Sequence, residues 1–148
     1  MKVTAILPTD ELWEKTILFA RDCSWHAGKF LASQMVEGRF KDWRRVFAAI
    51  TEQNEIAGFC TLTKTDVIPH VPYSPYIGFV FVEDQFRGQR VSEKLISCAT
   101  SYANNIGFSA VYLTSDHHQF YEKYGFKKID EQLDYWGNKQ GIYKMSTK

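Results

Sequence analysis

The chain has 148 residues, of which 45% are apolar, 16% aromatic and 24% charged. That composition excludes disorder and low complexity and predicts a packed core in a single domain over residues 1–148. Lys and Arg number 18 against 17 Asp and Glu, a net charge of +1, too balanced for a general nucleic-acid or polyanion binder, so any anion site must be local.

Three widely spaced cysteines (Cys23, Cys60, Cys98) with no CxxC pair offer neither a disulfide framework nor a zinc site, and point to a reducing compartment. The stretch Met1–Pro8 is too short and too weakly basic for a signal peptide, and no segment reaches the length of a membrane span. A cytoplasmic location, with no membrane partner, is the expectation.

In chain order, Lys2–Leu7 reads as a strand stopped by Pro8. Thr9 is placed as an N-cap, followed by Asp10 and Glu11 at the positive end of a helix over 9–22. A second helical stretch covers about Ala27 to Val36. Arg45–Thr51 and Glu55–Thr63 form an antiparallel hairpin turning through Glu52-Gln53-Asn54. Three prolines between Asp66 and Pro75 mark a loop. It feeds Tyr76–Val82, a continuous apolar run that suits a central strand covered on both faces.

A polar turn, Glu83–Gln89, then leads to a helix with Val91, Leu95, Cys98, Ala99, Tyr102, Ala103 and Ile106 on one stripe, ended by Gly107. Ser109–Ser115 is the next strand, so strand, helix and strand over 76–115 predict a right-handed crossover between parallel strands. A short helix near Gln119–Tyr124 and two closing strands, near Phe126–Tyr135 and Gly141–Ser146, complete the chain. The class is α+β with a mixed sheet.

Chemistry concentrates at the central turn. Gln85-Phe86-Arg87-Gly88-Gln89-Arg90-Val91-Ser92-Glu93-Lys94 joins a buried strand to a helix. Amides at a helix start, with the dipole behind them, favour an anion, and Arg87, Arg90 and Lys94 add cations. A solvated basic first turn would read the same way. Two further features strengthen the anion site: the edges of diverging parallel strands, which can accept an extended amide-bearing ligand, and the segment Phe120-Tyr121-Glu122-Lys123-Tyr124-Gly125-Phe126.

At these two segments the sequence resembles the GNAT superfamily of acyl-CoA-dependent N-acyltransferases. The order of elements agrees from about residue 46 to 146. The family's Arg/Gln-x-x-Gly-x-Gly/Ala turn is met by Arg87 at its first position, whereas Arg90 and Ser92 stand at the fourth and sixth. Arg90 either crowds the pyrophosphate or swings outward and pairs with it, and the second is expected.

The resemblance implies a mostly antiparallel sheet of about six or seven strands with a splayed parallel pair at its centre, and about four helices. It implies that backbone groups of Phe81 and Val82 bind the pantetheine arm. Backbone amides from Gly88 through Gln89, Arg90, Val91 and Ser92 to Glu93 would hold the pyrophosphate, and Tyr121 would protonate the departing thiolate. Acetyl-CoA is the implied cosubstrate, without a metal.

An amine of pKa about 10.4 is about 99.9% protonated at neutral pH, so exposing its lone pair costs roughly 4–5 kcal/mol. A base, a carbonyl-polarising donor (the Val82 N–H) and a leaving-group acid are therefore needed. Glu83, at the end of the fourth strand, is the candidate base, and equally a solvated turn carboxylate. Asp116-His117-His118 offers imidazoles that more simply line a loop. As metal ligands they lack a third partner.

Asp22, Glu37 and Asp66 are acids that could hold a cationic acceptor, though each also reads as a solvated side chain. The acceptor is a small-molecule or peptide amine of unreadable identity. Exposed aromatics and a sheet edge leave a homodimer open. The function expected is acetyl transfer to a primary amine by direct attack in a ternary complex. The alternative is a non-catalytic CoA-binding sensor of the same fold. A Cys/His hydrolase has no nucleophile motif, and a P-loop is absent.

Overall fold

In the computed structural model, which describes residues 1–117 and 120–148, the elements are β1 (Lys2–Ile6), α1 (Glu11–Asp22), α2 (Gly28–Val36), β2 (Arg45–Ile50), β3 (Ile56–Thr63), β4 (Tyr76–Val82), α3 (Val91–Asn105), β5 (Ala110–Ser115), β6 (Lys127–Leu133) and β7 (Lys139–Ser146). The strands form one mixed sheet of seven, in the order β1-β2-β3-β4-β5-β7-β6, with β4 and β5 parallel. The expected α+β class holds. Among the described residues there are three α-helices rather than four. The segment near Tyr121 forms only a 3-10 turn, Glu122–Tyr124, because Gly125 takes φ 104° and reverses the chain after it. A Cβ at that position would stand 3.1 Å from Met145 Sδ. Gln119, where that helix was expected to begin, and His118 lie outside the described residues.

The chain divides into two units. The first comprises Met1–Thr61 and Phe79–Ala99, and the second Leu62–Gly78 and Thr100–Lys148.

In the first unit, β1 runs antiparallel to β2 from Lys2↔Ile50 to Ile6↔Val46. The expected hairpin turn closes with the Thr51 N–H donating to Glu55 O at 2.9 Å. The cap of α1 differs from the expectation. Pro8 and Thr9 occupy a turn in which the Asp10 N–H donates to Leu7 O at 2.9 Å, so Asp10 becomes the N-cap residue. Its carboxylate accepts from the Leu7 N–H at 2.7 Å rather than from the helix.

Trp13, Ile17 and Ala20 face inward from α1, as the 3.6-residue period requires. Thr16, also inward, satisfies its hydroxyl by donating to Leu12 O at 2.7 Å. The core around them includes Leu31, Met35, Val46, Phe59 and Phe81. Trp25 lies face to face with Phe81, ring centres 5.7 Å apart and planes 8° from parallel. Offset stacks of this kind add about 0.5–1.5 kcal/mol beyond the area they bury.

In the second unit, β5 runs antiparallel to β7 from Ala110↔Ser146 to Ser115↔Gly141, and β7 pairs in turn with β6. Along β5 the burial alternates: Val111, Leu113 and Ser115 are buried, while Ala110, Tyr112 and Thr114 are half-buried. That alternation leaves Tyr112 and Thr114 on one face.

β4 departs from its expected uniform burial. Tyr76, Ile77, Phe81 and Val82 are buried, but Gly78, Phe79 and Val80 are only half-buried. Phe79 has φ 49°, a left-handed conformation that a strand residue does not normally adopt. The parallel register of β4 with β5 is Tyr76↔Tyr112, preceded by the Tyr112 N–H donating to Pro75 O at 2.9 Å. The kink at Phe79 comes three residues after that pair.

Candidate active site

The turn after β4 reverses the chain sharply before α3. Asp84–Phe86 forms a 3-10 turn, and Gly88 and Arg90 both take positive φ, 82° and 61°. Two left-handed residues separated by one form a tight reversal that delivers the chain into α3. The Lys94 N–H is bonded to Arg90 O at 3.1 Å, so the amides of Val91, Ser92 and Glu93 precede the helical ladder and belong to its dipole-bearing first turn. Nothing lies within 4 Å of the space a Gly88 Cβ would fill, and Gln89 is exposed.

The side chains around this turn differ in how they are held. Arg90 is 82% exposed and approaches Glu93 at 3.7 Å. It swings outward rather than crowding the turn, and its positive φ explains why glycine suits that position. Arg87 is anchored: its Nε donates to Val82 O at 3.2 Å and its Nη1 lies 3.1 Å from Asp84. Val91 is buried in the core, so only its backbone is available to a ligand. The same holds for Phe81, whose ring is locked between Trp25 and Phe59.

The Glu83 N–H donates to Ala57 O at 2.8 Å. Its residue lines an open cavity of about 540 Å³, together with Lys15, Phe19, Glu55, Asp84 and Gln85. The ammonium of Lys15 is bonded to Asn54 O. Glu83 therefore belongs to the first unit, among other charged side chains.

Tyr121 belongs to the second unit and is half-buried. Its ring meets Phe120 at 4.8 Å, and Phe126 and Tyr143 at 6.3 and 6.5 Å. Its carbonyl accepts from the Tyr124 N–H at 3.0 Å. Burial, then the nearby Tyr124 and Asp66, push its phenol above the ordinary value of 10. It is therefore a neutral O–H donor across the physiological range. Tyr124 packs edge-on to Phe120 and beside Lys123.

Asp66 is the residue the sequence undervalued. It is half-buried rather than solvated. Thr114 Oγ1 donates to its Oδ2 at 3.1 Å, and the Val67 N–H to its Oδ1 at 2.8 Å. Burial outweighs both bonds and raises its pKa to about 6. A hint was present, because Asp66 opens the proline loop, but its partner Thr114 is remote in sequence.

The other candidates are quieter. Asp22 is tied to Arg21 at 3.0 Å and Glu37 to Arg39 at 2.7 Å, all four exposed. His117 is exposed beside Asp116, and its carbonyl accepts from Tyr143 OH at 3.2 Å. Cys60 is buried with Sγ toward Leu95 O, and burial pushes the thiols of both Cys60 and Cys98 upward, away from nucleophilic character. Among the described residues no group of His, Cys, Asp and Glu could hold a metal ion, and no helix is long and apolar enough to cross a membrane.

The family model of the acetyltransferase (GNAT) domain matches residues 20–142. The chain belongs to the GNAT family, and it is an acyltransferase. Solved structures share the fold. One is an aminoglycoside 6'-acetyltransferase type Ii, at TM-score 0.77 and 18% identity, covering 100% of this chain and 98% of that one. A second is an aminoglycoside 6'-N-acetyltransferase complexed with coenzyme A, at TM-score 0.73 and 16% identity over 100% and 98% of the two chains. A third is the GNAT family N-acetyltransferase YhbS from Escherichia coli in complex with CoA, at TM-score 0.73 and 17% identity over 99% and 81%. No curated protein matches the sequence.

Proposed function

We propose that the chain is an N-acetyltransferase that moves an acetyl group from acetyl-CoA to a primary amine by direct attack in a ternary complex. The observation that carries this reading is the reversal through Gly88 and Arg90 into the first turn of α3, in a chain of this family. Backbone amides from Gly88 through Glu93 would hold the pyrophosphate, as a helix N-terminus holds other phosphates. Backbone groups of Phe81 and Val82 would meet the pantetheine amides. The CoA complexes among the structural neighbours favour the same donor. The family match runs through both units, which supports treating 1–148 as one catalytic domain.

In the reaction the amine gives its proton to a base, and its lone pair forms the C–N bond. The C–S bond then breaks, and the thiolate leaves against a hydrogen bond and takes its proton from water. Tyr121 is the proposed donor to sulfur. A phenol pushed above its ordinary value by burial keeps its proton in preference to a thiolate. Its contribution is therefore a hydrogen bond that strengthens as charge builds on sulfur.

Two carboxylates could draw the amine's proton, Glu83 beside its cavity and Asp66 beside Thr114. Glu83→Gln and Asp66→Asn, each assayed at saturating amine so that weakened acceptor binding is not read as lost proton transfer, assign that role to whichever substitution lowers kcat. The test of the function itself is a primary-amine library screened for released CoA thiol. Release with some amines and not others is expected, and CoA binding without release from any amine would instead favour a sensor. The family's acyltransferase character weighs against that second reading.

A further inference from the structure

The second unit carries a cluster of polar side chains around a buried hydroxyl that, among the described residues, has no partner. Two cross-strand rows lie side by side on one sheet face. Tyr76 pairs with Tyr112, and Tyr112 with Lys144. In the next row Thr114 pairs with Ile142, and Ile142 with Asp130. Residues in register share a face, so Tyr76, Tyr112, Thr114 and Asp130 line one surface.

The loop before β4 lies against it. Asp66 takes the Thr114 hydroxyl, and Tyr73 OH donates to Asp130 Oδ2 at 3.0 Å. The Tyr73 and Tyr112 rings are 5.3 Å apart. Among the described residues, neither Asp66 nor Asp130 has a basic side chain within ion-pair distance. Lys144, on the same face, is exposed and its ammonium stands 5.9 Å from the Tyr112 ring centre.

A buried atom supplies the independent observation. Tyr76 is 1% exposed, and its hydroxyl is the one buried side-chain polar atom, among the described residues, without a hydrogen-bond partner. Leaving such a group unpaired costs about 1–3 kcal/mol, which a ligand would return. Burial, and after it the charge of Asp66, push this hydroxyl above its ordinary value, with smaller contributions from Tyr73, Tyr112 and Asp130. Asp66 also acts on Tyr121. The unpaired hydroxyl therefore belongs to a residue packed edge-on to Tyr112, ring centres 6.0 Å apart, in a neighbourhood of carboxylates and aromatic rings that suits an organic ammonium ion.

We propose that Asp66, with the Tyr76 hydroxyl and the rings of Tyr73 and Tyr112, binds the reacting ammonium of the acceptor, and that acceptors are amines without an acidic group near the nitrogen. This rests on the transferase reading above and names its substrate class. Asp66 accepts from the ammonium, and Tyr76 is then free to hydrogen-bond as the nitrogen's neighbour. Asp130, held by Tyr73, adds a second negative charge that repels a carboxylate on the same molecule and attracts a second cation.

The test is a ligand-observed NMR titration of the full chain at pH 8, with and without saturating CoA, using n-butylamine, 1,4-diaminobutane and 4-aminobutanoate. Binding of the first two is expected, with 4-aminobutanoate at least about 10-fold weaker. Asp66→Asn keeps the partners of Thr114 and Val67 but removes the charge, and should weaken the diamine roughly 10–100-fold. Tyr76→Phe, a near-isosteric change, should weaken it by a few-fold. The proposal is overturned by equal affinity of wild type and Asp66→Asn, by equal binding of 4-aminobutanoate, or by no amine binding in either condition. A parallel acetyl-CoA titration separates the two readings. If amines bind through Asp66 but the thioester does not bind, the transferase reading fails and the site stands. If the thioester binds and amines ignore Asp66, the site fails alone.

Discussion

Thr114, on β5, donates its hydroxyl to the carboxylate of Asp66, in the loop before β4, across 3.1 Å. The bond fixes the acid within electrostatic reach of both Tyr76 and Tyr121. It lowers the cost of an ionised carboxylate there without abolishing it, since burial still raises the pKa from 3.8 to about 6.

That shift makes a prediction about stability. The folded-state value lies above the unfolded one, so the folded chain holds the proton more tightly. Stability from this group is full below about pH 4 and is lost as pH rises through 6, by up to about 3 kcal/mol. Asp66→Asn should therefore be more stable than wild type at pH 7.5 and equal to it near pH 4. Urea denaturation at the two pH values measures the difference. Equal stability at pH 7.5 would show that Asp66 is solvated.

Tyr121→Phe keeps the ring contacts with Phe126 and Tyr143 and deletes the donor. Turnover should fall roughly 10–100-fold, the lower part of the range for a positioned acid. The acetyl-CoA dissociation constant should stay within about two-fold. Steady-state kinetics with a calorimetric titration separates the two effects. Unchanged turnover would remove Tyr121 from the chemistry.

At Arg90 the backbone is left-handed, which costs a non-glycine residue about 1–2 kcal/mol. Glycine relieves that strain but adds freedom to the unfolded chain. Arg90→Gly should leave stability level or raise it by up to about 1 kcal/mol, whereas Arg90→Val should lower it by about 1–2 kcal/mol. Chemical denaturation decides, and an equal loss in both variants would mean that the turn does not depend on this conformation.

Cys60 is fully enclosed and its thiol is pushed up by burial. Iodoacetamide on the native chain should leave Cys60 unmodified and turnover intact, whereas in denaturant all three cysteines should react. Intact-mass and peptide spectra read this directly. Inactivation that tracks labelling of Cys60 or Cys98 would reopen a thiol mechanism.

The parts legible in the sequence are those set by neighbours along the chain. The turn closed by Thr51 and Glu55, the apolar stripe of α3 and the two glycine-bearing segments around Gly88 and Gly125 all depend on residues a few positions apart. What was hidden depends on distance. Asp66 reads as a solvated loop acid until Thr114, 48 positions on, is folded against it. Tyr73 finds Asp130 across 57 positions.

Phe79 shows a different limit. An apolar run predicts a strand, but nothing in it marks the residue that turns left-handed. Asp10 displaced Thr9 as the cap because Pro8 draws Thr9 into a turn, a competition between two local rules of similar strength.

Calorimetric titration of the folded chain with acetyl-CoA bears most directly on the reversal through Gly88 and Arg90 as a pyrophosphate cradle. Saturable one-to-one binding in the micromolar range is the expected result, kept with 3'-dephospho-CoA, which retains the pyrophosphate, and weakened with pantetheine, which lacks it. No binding by a sample whose near-ultraviolet spectrum shows a folded core, or equal affinity for pantetheine and acetyl-CoA, would contradict it.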